Sequence, residues 1–281
     1  MIHYGGVDND YCKEKDSAIV MVPVPYDGTS TWIKGADKGP EAIMEASANM
    51  ELYDIETESE VYKYGIFTAK AIKENRSPES MVQAVYREVS KYLNSGKFVV
   101  TIGGEHSVSV GAIQAHAEKY RDMCVLQLDA HSDLRESYEG SSFNHACAMA
   151  RAREFVPIVQ AGIRSMDIEE RTSLDMKKTF FAEHIRLDKG WIDKVISVLS
   201  PKVYLSIDLD VFDPSIMSST GTPEPGGLSW YDVLDLIRKV DEKLEIVGFD
   251  VVELCPNKYN KAPDFMAAKL IYKILSYRFN H

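Results

Sequence analysis

Short, nearly continuous apolar runs rich in β-branched residues recur along the chain at residues 18–24, 97–102, 124–128, 157–161, 179–182, 203–207 and 246–252. Runs of this kind have no polar face, which is how strands buried on both sides of a parallel sheet read. Between them the apolar positions change to helical spacing. Over 78–93, Met81, Val82, Val85, Tyr86, Val89, Tyr92 and Leu93 form one stripe, with Ser77 placed to cap the helix and Pro78 at its first position. Further helices are predicted over 41–49, 107–118, 145–155, 191–199, 230–239 and 262–277. Strand and helix alternate from end to end, which predicts an α/β fold, a three-layer α/β/α sandwich around a central, mainly parallel sheet. Residues 53–75 are weakly patterned and yield no element. No linker, repeat or low-complexity segment breaks the pattern, so residues 1–281 read as a single domain.

Ligands of open α/β sheets bind beyond the carboxyl ends of the strands, and the polar clusters of this chain fall there. Asp129-Ala130-His131-Ser132-Asp133 follows one apolar run, and Ser206-Ile207-Asp208-Leu209-Asp210 closes another about 75 residues later. Alternate residues of a strand share a face. Asp129, His131 and Asp133 are therefore expected on one side, and Asp208 and Asp210 likewise. Neither run contains a lysine or arginine, and burying carboxylates without a partner costs several kcal/mol per ion. A third strand end, Gly103-Gly104-Glu105-His106-Ser107, is a glycine turn that presents His106, with Ser107 placed to cap the next helix. His106, Asp129, His131, Asp133, Asp208 and Asp210 together offer two imidazoles and four carboxylates. Two dications would balance the four charges, and a metal pair roughly 3.5–4 Å apart can ionise a bridging water at neutral pH. Oxygen and imidazole donors without thiolate favour manganese.

Three more features sit at the same rim. His145, in Asn144-His145-Ala146, is placed to carry protons. The loop Gly221-Thr222-Pro223-Glu224-Pro225-Gly226-Gly227 is stiff enough to wall a pocket or serve as a plain connector. Glu253, at the end of Phe249-Asp250-Val251-Val252, can receive a cationic substrate group. His3, His116, His184 and His281 lie outside any motif and read as structural or surface residues.

Composition narrows the partners. The 281 residues are 45% hydrophobic and carry a net charge of -11, a poor match to nucleic acid or an anionic membrane surface. No run approaches the roughly 20 apolar residues of a membrane span, and residues 1–15 are too polar for a signal peptide. The four cysteines are dispersed, as in a cytoplasmic protein with reduced thiols.

The set of motifs resembles the ureohydrolases: arginase, agmatinase, guanidinobutyrase, guanidinopropionase and formiminoglutamase. The resemblance runs from about Pro23 to beyond Glu253. It implies an arginase-like fold with an eight-stranded sheet, two Mn2+ ions and a homotrimer or homohexamer. His106, Asp129, Asp133 and Asp208 would hold one ion and His131, Asp129, Asp208 and Asp210 the other. The resemblance also implies His145 as proton shuttle, Glu253 as guanidinium ligand, and Asp133 as the group that orients the attacking water. Val24-Pro25-Tyr26-Asp27-Gly28-Thr29, Lys38-Gly39-Pro40 and Gly162-Ile163-Arg164-Ser165 are similar to agmatinases. Ser142-Phe143-Asn144-His145-Ala146 departs from the Asn-x-His-Gly of arginases. The expected reaction is hydrolysis of agmatine to urea and putrescine. Aminopropylagmatine, guanidinobutyrate and arginine are the alternatives, and Arg135 keeps a guanidino acid open. A catalytically silent relative would lack a ligand or the shuttle histidine, and none is missing. A single-zinc deacylase would not need His106, Asp133 and Asp210.

Overall fold

The computed structural model describes residues 2–7 and 10–280. Eight strands form one parallel sheet: β1 (Ile19–Val24), β2 (Ile66–Thr68), β3 (Phe98–Gly103), β4 (Met123–Leu128), β5 (Ile158–Ile163), β6 (Thr179–Phe181), β7 (Lys202–Asp208) and β8 (Glu245–Val252). Among the described residues the α-helices are α1 (Gly39–Ser47), α2 (Pro78–Asn94), α3 (Ser109–Lys119), α4 (Ala148–Ala152), α5 (Ala182–Ile185), α6 (Trp191–Ser197), α7 (Trp230–Lys243) and α8 (Ala262–Arg278).

The strand pattern explains the layers. In β1, Ile19 and Met21 join one core while Val20, Val22 and Val24 join the other. Both faces are apolar because both are covered. The first core packs against α1, α6, α7 and α8, the second against α2, α3 and α4. The three-layer α/β/α prediction holds. The Ser77 cap holds as well: its side chain accepts from Ser80 N–H in a capping box, with proline following.

Three local expectations change. Residues 53–75 contain β2, a three-residue edge strand on β1, too short to show a period. The helix expected at 107–118 starts at Ser109, after a 3-10 turn over His106–Val108. Ser107 does not cap it; its hydroxyl turns back to Glu105. The helix expected at 145–155 reduces to α4, preceded by a 3-10 turn over His145–Cys147 that Asn144 caps.

The strand order is β2-β1-β3-β8-β7-β4-β5-β6. The chain first lays down β2-β1-β3, with β1 in the middle, then builds outward from β4 through β5 to β6, and inserts β7 and β8 between the two blocks last. The four central strands, β3, β8, β7 and β4, all end on the same rim. His106, Asp129, Asp208 and Glu253 lie at or within three residues of those ends.

Candidate metal centre

The ligand-type side chains are set by turns after the strands. β4 stops at Leu128, so Asp129, His131 and Asp133 lie beyond it, and Asp133 takes a left-handed conformation (φ 53°). Asp208 is the last residue of β7, and Asp210 sits in the following 3-10 turn. The expected strand alternation is therefore not what brings these groups together. Three of the carboxylates instead spend an oxygen on backbone N–H groups, Asp129 and Asp208 on their own turns and Asp210 on the turn after β4. Asp129 Oδ1 accepts from His131 N–H (2.6 Å), Asp208 Oδ1 from Asp210 N–H (2.9 Å) and Asp210 Oδ1 from Ala130 N–H (3.0 Å). The second oxygens converge on the imidazoles.

His106 Nδ1 lies 3.1 Å from Asp129 Oδ2, 3.0 Å from Asp133 Oδ2 and 3.6 Å from Asp208 Oδ2. Despite these approaches it is buried with no hydrogen-bond partner of acceptable geometry. His131 Nδ1 is 2.9 Å from Asp210 Oδ2 and 3.7 Å from Asp129 Oδ1. Two groups of donor atoms are close enough to share a cation, His106–Asp129–Asp208 and Asp129–His131–Asp210, with Asp129 in both. Among the described residues none of the four aspartates is ion-paired with lysine or arginine; their ion-pair contacts are to His106 and His131. Donors that point at a common space rather than at each other fit a cation there.

Without one, protons take up the charge. Burial opposes protonating His106, but the adjoining Asp129 and Asp133 carboxylates outweigh it and raise the imidazole well above its usual range. His131 is likewise carried against burial by Asp210 and Asp129, to about 12. Burial, then the Asp129 charge, raises Asp133 to about 6. Asp208 is raised well above its usual value by burial and by Asp210 and Asp129.

Behind the cluster lies a layer that sequence reading missed. His106 Nε2 is 2.9 Å from Ser206 Oγ, which donates to Asp250 Oδ1 (3.0 Å); Tyr204 donates to Asp250 Oδ2 (2.8 Å). Since the serine proton goes to the carboxylate, Nε2 keeps a hydrogen, and Nδ1 is the nitrogen whose lone pair becomes available to a cation once its own proton leaves. Gln127 donates to Asp129 Oδ2 (2.7 Å), and Gln160 fixes Gln127 in turn (2.6 Å). Arg164 donates to the carbonyls of Asp210 (2.6 Å) and Glu224 (2.8 Å), joining the turn after β7 to the 221–227 loop.

A cavity of about 260 Å³ opens over the cluster, lined by His106, His131, Asp133, His145, Asp208 and Glu253 among others. Glu253 follows β8 with φ 67°, a strained conformation for a side-chain-bearing residue. Its Oε1 accepts from His106 N–H (2.7 Å). Burial, and then the Glu105 charge, raises its pKa well above normal. His145 is lowered to about 4, chiefly by burial, and is neutral at pH 7. Thr222 lines the cavity, so the 221–227 loop does form a wall. Arg135 is not free: it pairs with Asp167 (3.2 Å) and Glu170 (3.9 Å) and lies over the Tyr138 ring.

His3, His116 and His184 stand apart from this cavity, and His281 lies outside the described residues. The four cysteines are unpaired. Among the described residues no helix is long and apolar enough to cross a membrane.

The relatives of this chain give its class, hydrolases that act on guanidino compounds. Residues 17–276 match the Arginase family. The chain is 38% identical to an N(1)-aminopropylagmatine ureohydrolase of Synechocystis sp., over 93% of this chain and 89% of that one. It is 31% identical to an agmatinase of Pyrococcus horikoshii, over 93% and 92% respectively. The agmatine ureohydrolase structure of Thermoplasma volcanium superposes with a TM-score of 0.89 at 33% identity, covering all of this chain and 95% of the other. The chain belongs to the arginase family and is a ureohydrolase.

Proposed function

We propose that this ureohydrolase cleaves the guanidinium of a cationic, agmatine-type substrate, with N1-aminopropylagmatine foremost and agmatine second. Water adds to the guanidinium carbon and the bond to the alkyl nitrogen breaks, releasing urea and the free amine: spermidine from aminopropylagmatine, putrescine from agmatine. The observation that carries the reading is the convergence of unpaired carboxylates and imidazoles beneath a cavity that Glu253 borders.

Two divalent cations, manganese by the donor set, would be held by His106, Asp129, Asp133 and Asp208 and by His131, Asp129, Asp208 and Asp210; they would supply an acidified water and charge for the developing oxyanion. The chain's own groups do the rest. Glu253 receives the guanidinium nitrogens. Asp133 accepts a hydrogen bond from the attacking water and so aims it. His145, neutral at rest, takes up the released proton and returns it to the departing amine nitrogen.

The mouth of the cavity bears on the tail of the substrate. Arg135 is matched by Asp167 and Glu170, so it presents no spare positive charge to a carboxylate. That disfavours guanidinobutyrate and arginine. The higher identity to an aminopropylagmatine enzyme than to an agmatinase supports the longer amine. Urea release with manganese should be measured across aminopropylagmatine, agmatine, guanidinobutyrate and arginine. The reading requires kcat/KM for the first two to exceed the others by at least about tenfold, roughly 1.4 kcal/mol of transition-state discrimination; a preference for arginine or guanidinobutyrate refutes it. We further propose that the chain works as one unit and as a homotrimer or homohexamer, for which light scattering is the test.

A further inference from the structure

The loop between β1 and α1 is organised by two carboxylates that the mechanism above does not use. Asp27 closes the loop from within, accepting from the Ser30 hydroxyl, from Gly35 N–H (2.7 Å) and from Lys34 Nζ (3.2 Å). Glu105 grips its middle. Oε2 accepts the N–H groups of Thr29 (2.5 Å) and Ser30 (2.9 Å), and Oε1 accepts the hydroxyls of Thr29 (2.6 Å) and Ser107 (2.6 Å). Glu105 is fully buried, and with four donors its acceptor capacity is taken up.

Thr29 has a second contact. Its Oγ1 accepts the backbone N–H of His145 (2.9 Å) and lies 3.4 Å from the ring Nδ1. Asn144 adds a tie of 3.5 Å from its side chain to the Thr29 carbonyl. A hydroxyl has one proton, and that of Thr29 is given to Glu105. Only lone pairs face His145, so the ring nitrogen turned toward Thr29 must be the one bearing hydrogen. Nε2 is left with the lone pair.

We propose that Thr29, oriented by Glu105, is a positioning residue that fixes the Nδ1–H tautomer and ring direction of His145, and so makes Nε2 the atom that exchanges protons. The kinetic part rests on the function proposed above; the tautomer part does not. In the manganese-loaded enzyme, Thr29→Val should lower kcat about tenfold to hundredfold, a share of the roughly 10²–10⁴ that general acid–base groups contribute. KM and bound manganese should stay within about twofold, and Thr29→Ser, which keeps the hydroxyl, should recover kcat to within about threefold. The double variant Thr29→Val/His145→Ala should be no slower than His145→Ala alone, because the two act through one group. Equal losses in the Val and Ser variants, or multiplying losses in the double variant, overturn the proposal. Nitrogen-15 NMR of histidine-labelled, metal-free protein, with His145→Gln for assignment, reads the tautomer directly. Nδ1–H in the native chain and a mixture in Thr29→Val are expected, and Nε2–H in the native chain overturns the proposal. If no guanidino compound is hydrolysed at all, the function fails, and the positioning role is still decided by the spectrum.

Discussion

Replacing Ser206 by alanine separates a structural serine from one that sets the coordination chemistry of His106. The hydroxyl sits between His106 Nε2 and Asp250 Oδ1, at 2.9 and 3.0 Å, and all three residues are buried. Ser206→Ala leaves Nε2–H without an acceptor and removes a donor of Asp250, with Tyr204 remaining. A buried polar group left unsatisfied costs about 1–3 kcal/mol. Two such groups set a range of about 2–6 kcal/mol. Asp250, whose pKa burial raises, can ease its share by taking a proton, which favours the lower end. The alanine also frees His106 to adopt the other tautomer, with Nδ1 protonated and unfit to bind a cation. Loss of such an outer partner weakens metal binding by about 10–100-fold. Calorimetric titration of manganese into metal-free native and Ser206→Ala protein, beside urea denaturation of both, measures the two effects separately. A variant that loses stability but binds manganese as tightly as the native chain would refute the tautomer argument.

Other perturbations test different parts of the molecule. His145→Ala should cut kcat by about 100-fold or more with manganese content unchanged by elemental analysis; equal loss of metal would remove His145 from proton transfer. His131 is held protonated up to about 12 in the metal-free chain and His106 is raised well above its usual range, so ligation must expel both protons, and manganese affinity should rise by more than about tenfold per pH unit between pH 7 and 9. The stability that His131 gives the metal-free fold has the opposite sign: its folded pKa lies above the ordinary 6.5, so the contribution is complete below pH 6.5 and declines as pH climbs toward 12. Affinity that stays flat, or metal-free stability that rises, over this pH range would contradict the assignment of a raised His131. A Cβ at Gly104 would lie 2.0 Å from the Tyr26 carbonyl oxygen, so Gly104→Ala should cost about 1–3 kcal/mol and lower Tm by several degrees in a thermal melt. Lys273→Met strands buried Asp54, its partner at 3.1 Å, and should destabilise by about 3–5 kcal/mol in urea; an unchanged midpoint would show that Asp54 needs no counter-ion.

Much of this was legible in the chain because charge in an apolar setting is conspicuous. Seven strands were visible as apolar runs, including the three-residue edge strand β6, whereas β2, equally short, lies in the weakly patterned stretch 53–75. The helix expected at 145–155 is shortened by a tertiary tie: Met149 and Ala150 both donate to the Asp133 carbonyl, which starts α4 late. Five of the six side chains singled out in the sequence fall in the two groups that could share a cation, with Asp133 beside them at His106, but the reason differs. Strand alternation pointed to a shared face, while the structure uses tight turns in which Asp129 and Asp208 brace their own loops and Asp210 braces the turn after β4. Asp250 carried a usable signal, a charge within an apolar strand, as did Gln127 and Ser206. Thr29 carried none, since its partners lie 76 and 116 residues away and only the folded sheet brings them near.

The insertion of β7 and β8 into the middle of the sheet bears on how this catalyst comes into being at the ribosome. The first two-thirds of the chain can make only two separate three-stranded blocks, β2-β1-β3 and β4-β5-β6, each with a raw inner edge. His106 belongs to one block and Asp129, His131 and Asp133 to the other. Until the last pair of strands zips them together, the two sets of candidate donors have no common space, so the cluster is complete only once β7 and β8 have entered the sheet.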